Sequence, residues 1–488
     1  MRSHSINYYR FCFCFTLSVL WLLAQQLHAA EQHQRMVVLT DIEADPDDTQ
    51  SLVRLLLYAN CIDIEAIVAT TSVHQKNRVV PESIRRVIKA YGKVHANLQK
   101  HDPGYPAAQV LLDRITQGLS EYGMKGVGEG RDSPGSDRII ELLERADERP
   151  LWVSVWGGPN ALAQSLYKIR ETRSAEETKR LINKLRVYTI SDQDDSAIWI
   201  RTEFPKLFYI VSPGRYGRST WTAINNEFEG IDNMTISNDW LAKNIQQGHG
   251  PLGAEYPDVA WGMEGDTPAF LGLIPNGLNV PDRPDWGGWG GRYELYQPKD
   301  SDIEVGGSVE GGIPIEAESR PIWTNAVDTY APRIAQMYGR SVRPADQTFS
   351  NNKVTLWRWR DHFQNDFAAR MDWCLSTYSE ANHPPVPALA HPEAFAVKSG
   401  EGFRLDAQGT IDPDGDNLSY TWMQYPEAGS APLEVDIGIG PENVYQVYRV
   451  APNVTETETL HFILKVTDKG SPPLSRYKRV IVTVEPAL

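Results

Sequence analysis

The sequence predicts an α/β protein built on a mainly parallel sheet with helices on both faces, followed by a smaller all-β sandwich. Three observations lead there. From residue 36 to about 275, short runs rich in Val, Ile and Leu alternate with segments of helical spacing, the pattern that parallel strands joined by crossover helices produce. After a proline cluster at 382–387 the helical spacing stops and strand-like runs recur between turns. At 488 residues the chain also exceeds what one hydrophobic core usually serves, so two domains are expected.

The chain opens with Arg2 and Arg10 ahead of an apolar run from Phe11 to Leu23, and Ala29-Ala30 follow it. That layout reads as a secretory signal peptide over 1–30 and predicts an exported protein, secreted or periplasmic. The run is short for a bilayer span and no later stretch rivals it, so no membrane partner is expected. The chain carries 48 basic and 63 acidic residues, a net charge of −15, and shows no basic face, which argues against nucleic acid as a partner. Cys12 and Cys14 leave with the signal peptide. The remaining Cys61 and Cys374 suffice for one bridge or two buried thiols, not for a disulfide framework.

Strands are predicted at 36–40, 62–71, 151–156, 186–191 and 207–211, and helices at 49–58, 81–91, 136–146 and 160–169. Ligands of such a sheet sit beyond the carboxyl ends of its strands. The first strand ends in Asp41-Ile42-Glu43-Ala44-Asp45-Pro46-Asp47-Asp48, five carboxylates within eight residues. One or two acids would serve to cap the following helix. Five repel one another unless a cation neutralises them or some take up protons, so the loop predicts a metal or polyol site. Other strand ends carry Trp156-Gly157-Gly158-Pro159-Asn160 and Ser191-Asp192-Gln193-Asp194-Asp195-Ser196, and Asp266 precedes a further apolar run. Each alone suits a cap or a turn. Their recurrence on one predicted edge points to a crevice.

These pieces resemble the nucleoside hydrolases, whose first strand ends in an Asp-x-Asp-Pro-Gly-x-Asp-Asp run. Read without gaps, Asp41 and Glu43 align with its first two acids and Asp47 and Asp48 with its last pair. Asp47 to Leu56, Ser191 to Asp195, Trp286 to Tyr293 and Asp366 to Trp373 are similar to a branch described as cellulose-binding proteins with a nucleoside hydrolase-like domain. The resemblance implies calcium as cofactor, held by Glu43, Asp48, the Trp156 carbonyl and Asp266. It implies hydrolysis of an N-glycosidic bond, with Glu43 as general base and Asp47 accepting hydrogen bonds from sugar hydroxyls. The implied partner is a sugar or nucleoside-like small molecule contacting Asp47, Asn160, Asp194 and Asp195, with cellulose or another glycan as a wider target.

Departures from the family pattern keep a second reading open, a carbohydrate-binding protein that retains the crevice without turnover. Gly265 stands where many nucleoside hydrolases place His, and the Gly inside the acidic run is absent. The conventional Asn after the second strand is not found at 70–75. His74 and His249 are the remaining candidates to act on a leaving group, although lone histidines are more often structural. Trp286 and Trp289 lie among glycines and read equally as a sugar platform or as core. Arg292 beside them is expected to pair with a loop acid. Trp323, Trp357, Trp359 and Trp373 read as core and domain interface.

The domain expectation is an α/β domain over 31–381, a stiff linker at 382–387 and an immunoglobulin-like sandwich over 388–488. The sandwich strands are predicted at 403–407, 419–424, 444–450, 460–467 and 477–484. Asp412-Pro413-Asp414-Gly415-Asp416 resembles a loop of polycystic-kidney-type and cadherin-like modules and reads as a second calcium site or as a plain turn.

Overall fold

The computed structural model describes residues 33–335, 342–344, 347–430, 435 and 444–487, so the expected signal peptide lies outside the described residues. The first strand, β1 (Gln34–Thr40), is buried from Arg35 onward, which only a central strand covered on both faces can be. It pairs in parallel with β2 (Ile62–Ala69) on one side and β4 (Leu151–Val155) on the other. Further strands are β3 (Ile115–Gln117), β5 (Leu185–Thr189), β6 (Phe208–Ile210), β7 (Tyr293–Tyr296) and β8 (Ile322–Asn325). They complete an eight-stranded sheet in the order β3-β2-β1-β4-β5-β6-β8-β7, parallel except for β7 against β8.

The connecting helices are α1 (Asp47–Leu56), α2 (Pro81–His101), α3 (Pro134–Glu144), α4 (Asn160–Thr172), α5 (Ala175–Lys184) and α6 (Ser196–Glu203). The helix expected over 81–91 continues to His101 because apolar positions recur at Tyr91, Val94 and Leu98 and stay buried. The strand order turns back between β1 and β4, and a crevice opens beyond their carboxyl ends. Helix α7 (Arg360–Trp373) buries Phe363, Phe367 and Met371 in the larger core.

The C-terminal domain is an all-β sandwich. Strands β9 (Ala394–Lys398), β11 (Leu418–Gln424), β13 (Glu458–Asp468) and β14 (Ser475–Glu485) form one sheet in the order β9-β14-β13-β11. Strands β10 (Gly402–Asp406) and β12 (Gln446–Val450) form a second pair, and Trp422, Phe403, Leu405 and Phe462 fill the space between. Strand β9, absent from the expectation, pairs in parallel with β14.

The two domains share a core. Tyr425, Ile463 and Tyr477 from the sandwich belong to the same apolar cluster as Trp289, Trp359 and Phe363. Trp289 is fully buried and its indole N–H donates to the Tyr477 hydroxyl at 3.3 Å. The Arg479 guanidinium donates to the carbonyls of Leu278, Trp286 and Gly287. Trp286 meets His461 edge-on, with ring centroids 4.8 Å apart, and Arg283 stacks on it. Trp357, Trp359 and Trp373 are buried as well. Cys61 and Cys374 are buried free thiols. Among the described residues no helix is long and apolar enough to cross a membrane.

Candidate active site

The acidic loop fixes its shape through its own backbone. The Ala44 amide donates to the Asp41 carbonyl at 2.9 Å, and the Asp47 amide donates to Asp45 Oδ1 at 3.0 Å. Thr40, the last residue of β1, donates its hydroxyl to Asp48. Glu43 sits at φ +79°, a left-handed conformation that costs a non-glycine residue energy. That twist throws the Glu43 side chain outward, where it accepts from the Ser83 hydroxyl and pairs with Arg86 at 3.5 Å. Asp45, Asp47 and Asp48 face inward, each with a carboxylate oxygen within 4.8 Å of the others'.

The expectation that Glu43 joins this cluster is therefore corrected. Asp45 takes the inward position, because Glu43, exposed and at φ +79°, turns outward between the buried Ile42 and the Asp-Pro pair. An ungapped reading misassigns the second acid.

A fourth carboxylate comes from the distant loop ahead of Pro268. Asp266 is buried, and its Oδ2 lacks any hydrogen-bond partner. Burial first, then repulsion from Asp47, Asp48, Asp41 and Asp45, pushes its carboxyl well above the usual range. That loop is anchored by Glu264, itself fully buried. Glu264 accepts from the Arg54 guanidinium, the Tyr256 hydroxyl at 2.8 Å and the Thr267 hydroxyl at 2.8 Å. Arg54 stands on α1, the helix that begins with Asp47 and Asp48, so one ion pair registers both acidic segments.

Trp156 lies at the end of β4. Its carbonyl accepts from Gln193 at 2.6 Å, which leaves one lone pair available. The two glycines after it are needed for close approach. A Cβ on Gly157 would stand 2.6 Å from Asp41 Oδ1, and one on Gly158 would stand 2.3 Å from Asp194 Oδ2. Asp194 accepts from the Ser196 amide and hydroxyl through Oδ1, and its Oδ2 is unpartnered. Asn160 is held by Thr71 and the Glu121 carbonyl and keeps an unpartnered Oδ1.

Asp41, Asp45, Asp47, Asp48, Trp156 and Asp266 line a cavity of about 520 Å³. Its far wall is polar and aromatic: Tyr216, Trp221, Asn225 and Trp261, with His74 and Glu310 at the side. His74 Nε2 lies 3.2 Å from the Tyr216 hydroxyl, and Trp261 is 90 % exposed. Sequence reasoning missed these walls except His74. They occupy short 3-10 turns and loops, and the available signal was position: residues 211–226 follow β6 at the carboxyl edge where ligand-facing loops fall.

Gly265, the departure from the family pattern, has a steric cause. A Cβ there would lie 2.6 Å from Asp47 Oδ2 and 3.0 Å from the Trp221 ring. Gly265→His is accordingly expected to destabilise the chain by about 1–3 kcal/mol, as overpacking does. Urea unfolding checks this; wild-type stability in that variant would show the glycine is not required.

Five expected contacts fall elsewhere and are corrected here. Asp195 is exposed and accepts from the Met124 amide at 2.7 Å, capping a short turn. Trp286 and Trp289 belong to the domain interface: Gly287 between them admits the Tyr425 hydroxyl, Trp289 bonds Tyr477, and Arg479 lies over the Trp286 ring. Arg292 pairs with Asp328 at 2.7 Å and Glu294 at 2.8 Å, not with the acidic loop. His249 is bonded to Asp372 at 3.0 Å, away from the cavity.

Among the described residues no Lys or Arg pairs with Asp41, Asp45, Asp47, Asp48 or Asp266; the nearby Arg86 is taken by Glu43 and Glu255. The all-oxygen donor set with an unpaired buried Asp266 oxygen fits a hard divalent cation. Without one, burial pushes Asp41 from its ordinary 3.8 to about 7, and Asp47 and Asp48 rise as well through burial and mutual repulsion. Between pH 3.8 and about 7 the native state then holds protons that the unfolded chain has lost. Stability of the chelator-treated protein is thus expected to fall as pH rises through that window. Melting curves at pH 5 and pH 8 check the sign, and a rise would contradict it.

The fold and the crevice define the chain as a nucleoside hydrolase-like protein. Residues 35–293 match the family described as cellulose-binding Sde182, nucleoside hydrolase-like domain, and residues 402–484 match the cellulose-binding protein Sde0182, C-terminal domain. A solved structure from Saccharophagus degradans, a nucleoside hydrolase-related hypothetical protein associated with carbohydrate metabolism, is 33% identical. It covers 93% of this chain and 100% of its own, with a TM-score of 0.75. No curated protein matches the chain. The chain belongs to the cellulose-binding Sde182 family with a nucleoside hydrolase-like domain.

Proposed function

We propose that this chain is an exported, calcium-dependent hydrolase of N-glycosyl compounds. The observation that carries the reading is the convergence of Asp45, Asp47 and Asp48 within 4.8 Å beside the unpartnered Asp266 oxygen, at the floor of a cavity large enough for a glycosyl unit. Asp45, Asp48, Asp266 and the Trp156 carbonyl would hold the ion. When bound, it supplies positive charge that grips neighbouring sugar hydroxyls and acidifies water.

The chain's own groups do the rest. Asp47 accepts hydrogen bonds from the sugar hydroxyls and fixes the ring. Asp45 removes a proton from the water that attacks the anomeric carbon, the role the family resemblance had given to Glu43. His74, hydrogen-bonded to Tyr216 on the cavity wall, protonates the departing group in place of the side chain that Gly265 lacks. Trp221 and Trp261 offer ring faces to the substrate. The apolar run at 11–23 supports export.

A second reading, recognition of a carbohydrate without turnover, draws support from Trp261, whose 90 % exposure at the cavity mouth suits a flat sugar face. The family description supports a carbohydrate ligand in either reading. Release of nitrophenol from an aryl ribofuranoside, measured with and without chelator beside a cellulose pull-down, separates them. Chelator-sensitive release supports the hydrolase. Cellulose retention with no release under any metal condition would sink it.

A further inference from the structure

A second cavity, of about 530 Å³, lies at the seam between the two domains and shares no lining residue with the crevice. The sandwich supplies one wall through Thr421, Met423 and Lys465. Thr421 and Met423 stand two apart on β11 and Lys465 on β13 pairs with Thr421, so the three project from one face of that sheet. Trp422 and Leu464, on the opposite face, fill the sandwich core. The larger domain supplies Tyr330 and the segment 357–362. Both domains are therefore needed to build this cavity.

Charge in its walls is unevenly matched. The Arg358 side chain is 5% exposed, yet among the described residues its only hydrogen bond runs from Nη1 to Asp328 Oδ2 at 3.2 Å. Most of its N–H groups are left for a ligand or water. Asp328 is itself shared, with Arg292 at 2.7 Å and the Tyr425 hydroxyl at 2.6 Å. The Arg358 guanidinium packs on Tyr330, Trp359 and Tyr425, between 4.5 and 4.9 Å from their ring centroids. Arg360 donates to the Asn226 carbonyl and to Asn233 Oδ1, both at 2.7 Å, and pairs with no carboxylate among the described residues. Lys465 approaches His362 Nε2 at 3.5 Å, an arrangement that needs a neutral ring. Three cations of the wall thus meet two carboxylates, Asp232 and Asp361. Asp361 accepts from the Thr235 hydroxyl at 2.8 Å through Oδ1, which leaves Oδ2 as an acceptor.

These groups together select a ligand class. A bare anion would pair with Arg358 but be repelled by Asp361, while a neutral sugar would serve the carboxylates and leave the positive charge unmatched. A sugar acid meets both needs. We propose that the seam cavity binds a monosaccharide carrying one carboxylate. Arg358 and Lys465 hold the carboxylate, Asp361 and Asp232 accept from ring hydroxyls, and the less polar ring face lies on the aromatic wall of Tyr330 and Trp357. The volume lies within the range of small-molecule sites.

The test uses the full chain with glucuronate as probe, glucose as its neutral counterpart and acetate as the bare carboxylate. In titration calorimetry glucuronate is expected to bind at least tenfold more tightly than either control. Arg358→Gln is expected to weaken that binding about tenfold or more, the size of a lost charge-assisted hydrogen bond. Lys465 is half-buried and its change to Gln leaves the Arg358–Asp328 pair intact, so Lys465→Gln tests the site even where Arg358→Gln does not fold. Unchanged affinity in either variant overturns the proposal, as does equal affinity for glucose or acetate. A cavity that holds only water, with none of the three probes bound, overturns it too. Asp48→Asn, which alters the crevice alone, is expected to leave glucuronate binding unchanged; loss of binding there assigns the sugar acid to the crevice and refutes this site. Glucuronate binding by a chain that releases no nitrophenol supports the seam site while refuting the hydrolase reading.

Discussion

Replacing Asp45 by Asn is expected to abolish stabilisation by calcium, while Glu43→Gln leaves it intact. The two acids are two positions apart, and the family pattern read without gaps favours Glu43. Geometry favours Asp45, which shares a 4.8 Å cluster with Asp47 and Asp48, whereas Glu43 is occupied by Ser83 and Arg86. A ligand at a hundredfold excess over its dissociation constant stabilises the native state by about 2.7 kcal/mol. That increment should vanish in Asp45→Asn. If the chain turns over an aryl ribofuranoside, Asp45→Asn should also lower the rate by roughly 10²–10⁴-fold, the range of a lost general base. Thermal melts with and without calcium provide the first reading. Equal losses in both variants would return Glu43 to the site and remove the reassignment.

The second large effect is expected at Glu264. This carboxylate and the Arg54 guanidinium are both wholly buried, and Arg54 also donates to the Phe363 carbonyl at 3.1 Å. Removing one member of such a pair strands a charge out of water and typically costs about 3–5 kcal/mol. Glu264→Ala should therefore lose that much in urea unfolding. Because Glu264 stands two residues before Asp266 and accepts from the Thr267 hydroxyl, the loss should also loosen the fourth carboxylate and weaken calcium binding. The paired replacement Arg54→Met with Glu264→Leu should cost clearly less than Glu264→Ala alone, since neither charge is then stranded. Equal costs for the single and the paired change would show that packing, not charge, holds the loop.

Much of the fold was legible because burial leaves periodicity in the sequence. The alternation of β-branched runs with helical spacing gave β1, β2, β4 and β5 to within a few residues, and the prolines at 384, 385 and 387 marked the passage to the sandwich. The site was legible in part, for strand-end carboxylates announce themselves by mutual repulsion. What stayed hidden was conformational. Nothing in the letters Ile42-Glu43-Ala44 signals that Glu43 adopts φ +79° and turns outward. Nor does composition separate a tryptophan that stacks on sugar from one that packs on a partner domain: Trp289 became core, while Trp221 and Trp261, in loops without period, became cavity wall.

The sandwich side chains that reach into the larger domain set a limit on how this architecture can be rearranged. Tyr477 and Arg479 cap an interior that begins at Trp289 and the glycines around it. Cutting the gene at the proline cluster would strip that cover and leave a wide greasy face on the larger half, which would clump instead of remaining dispersed. Shuffling of modules among related genes should accordingly move both halves together, as one inherited unit.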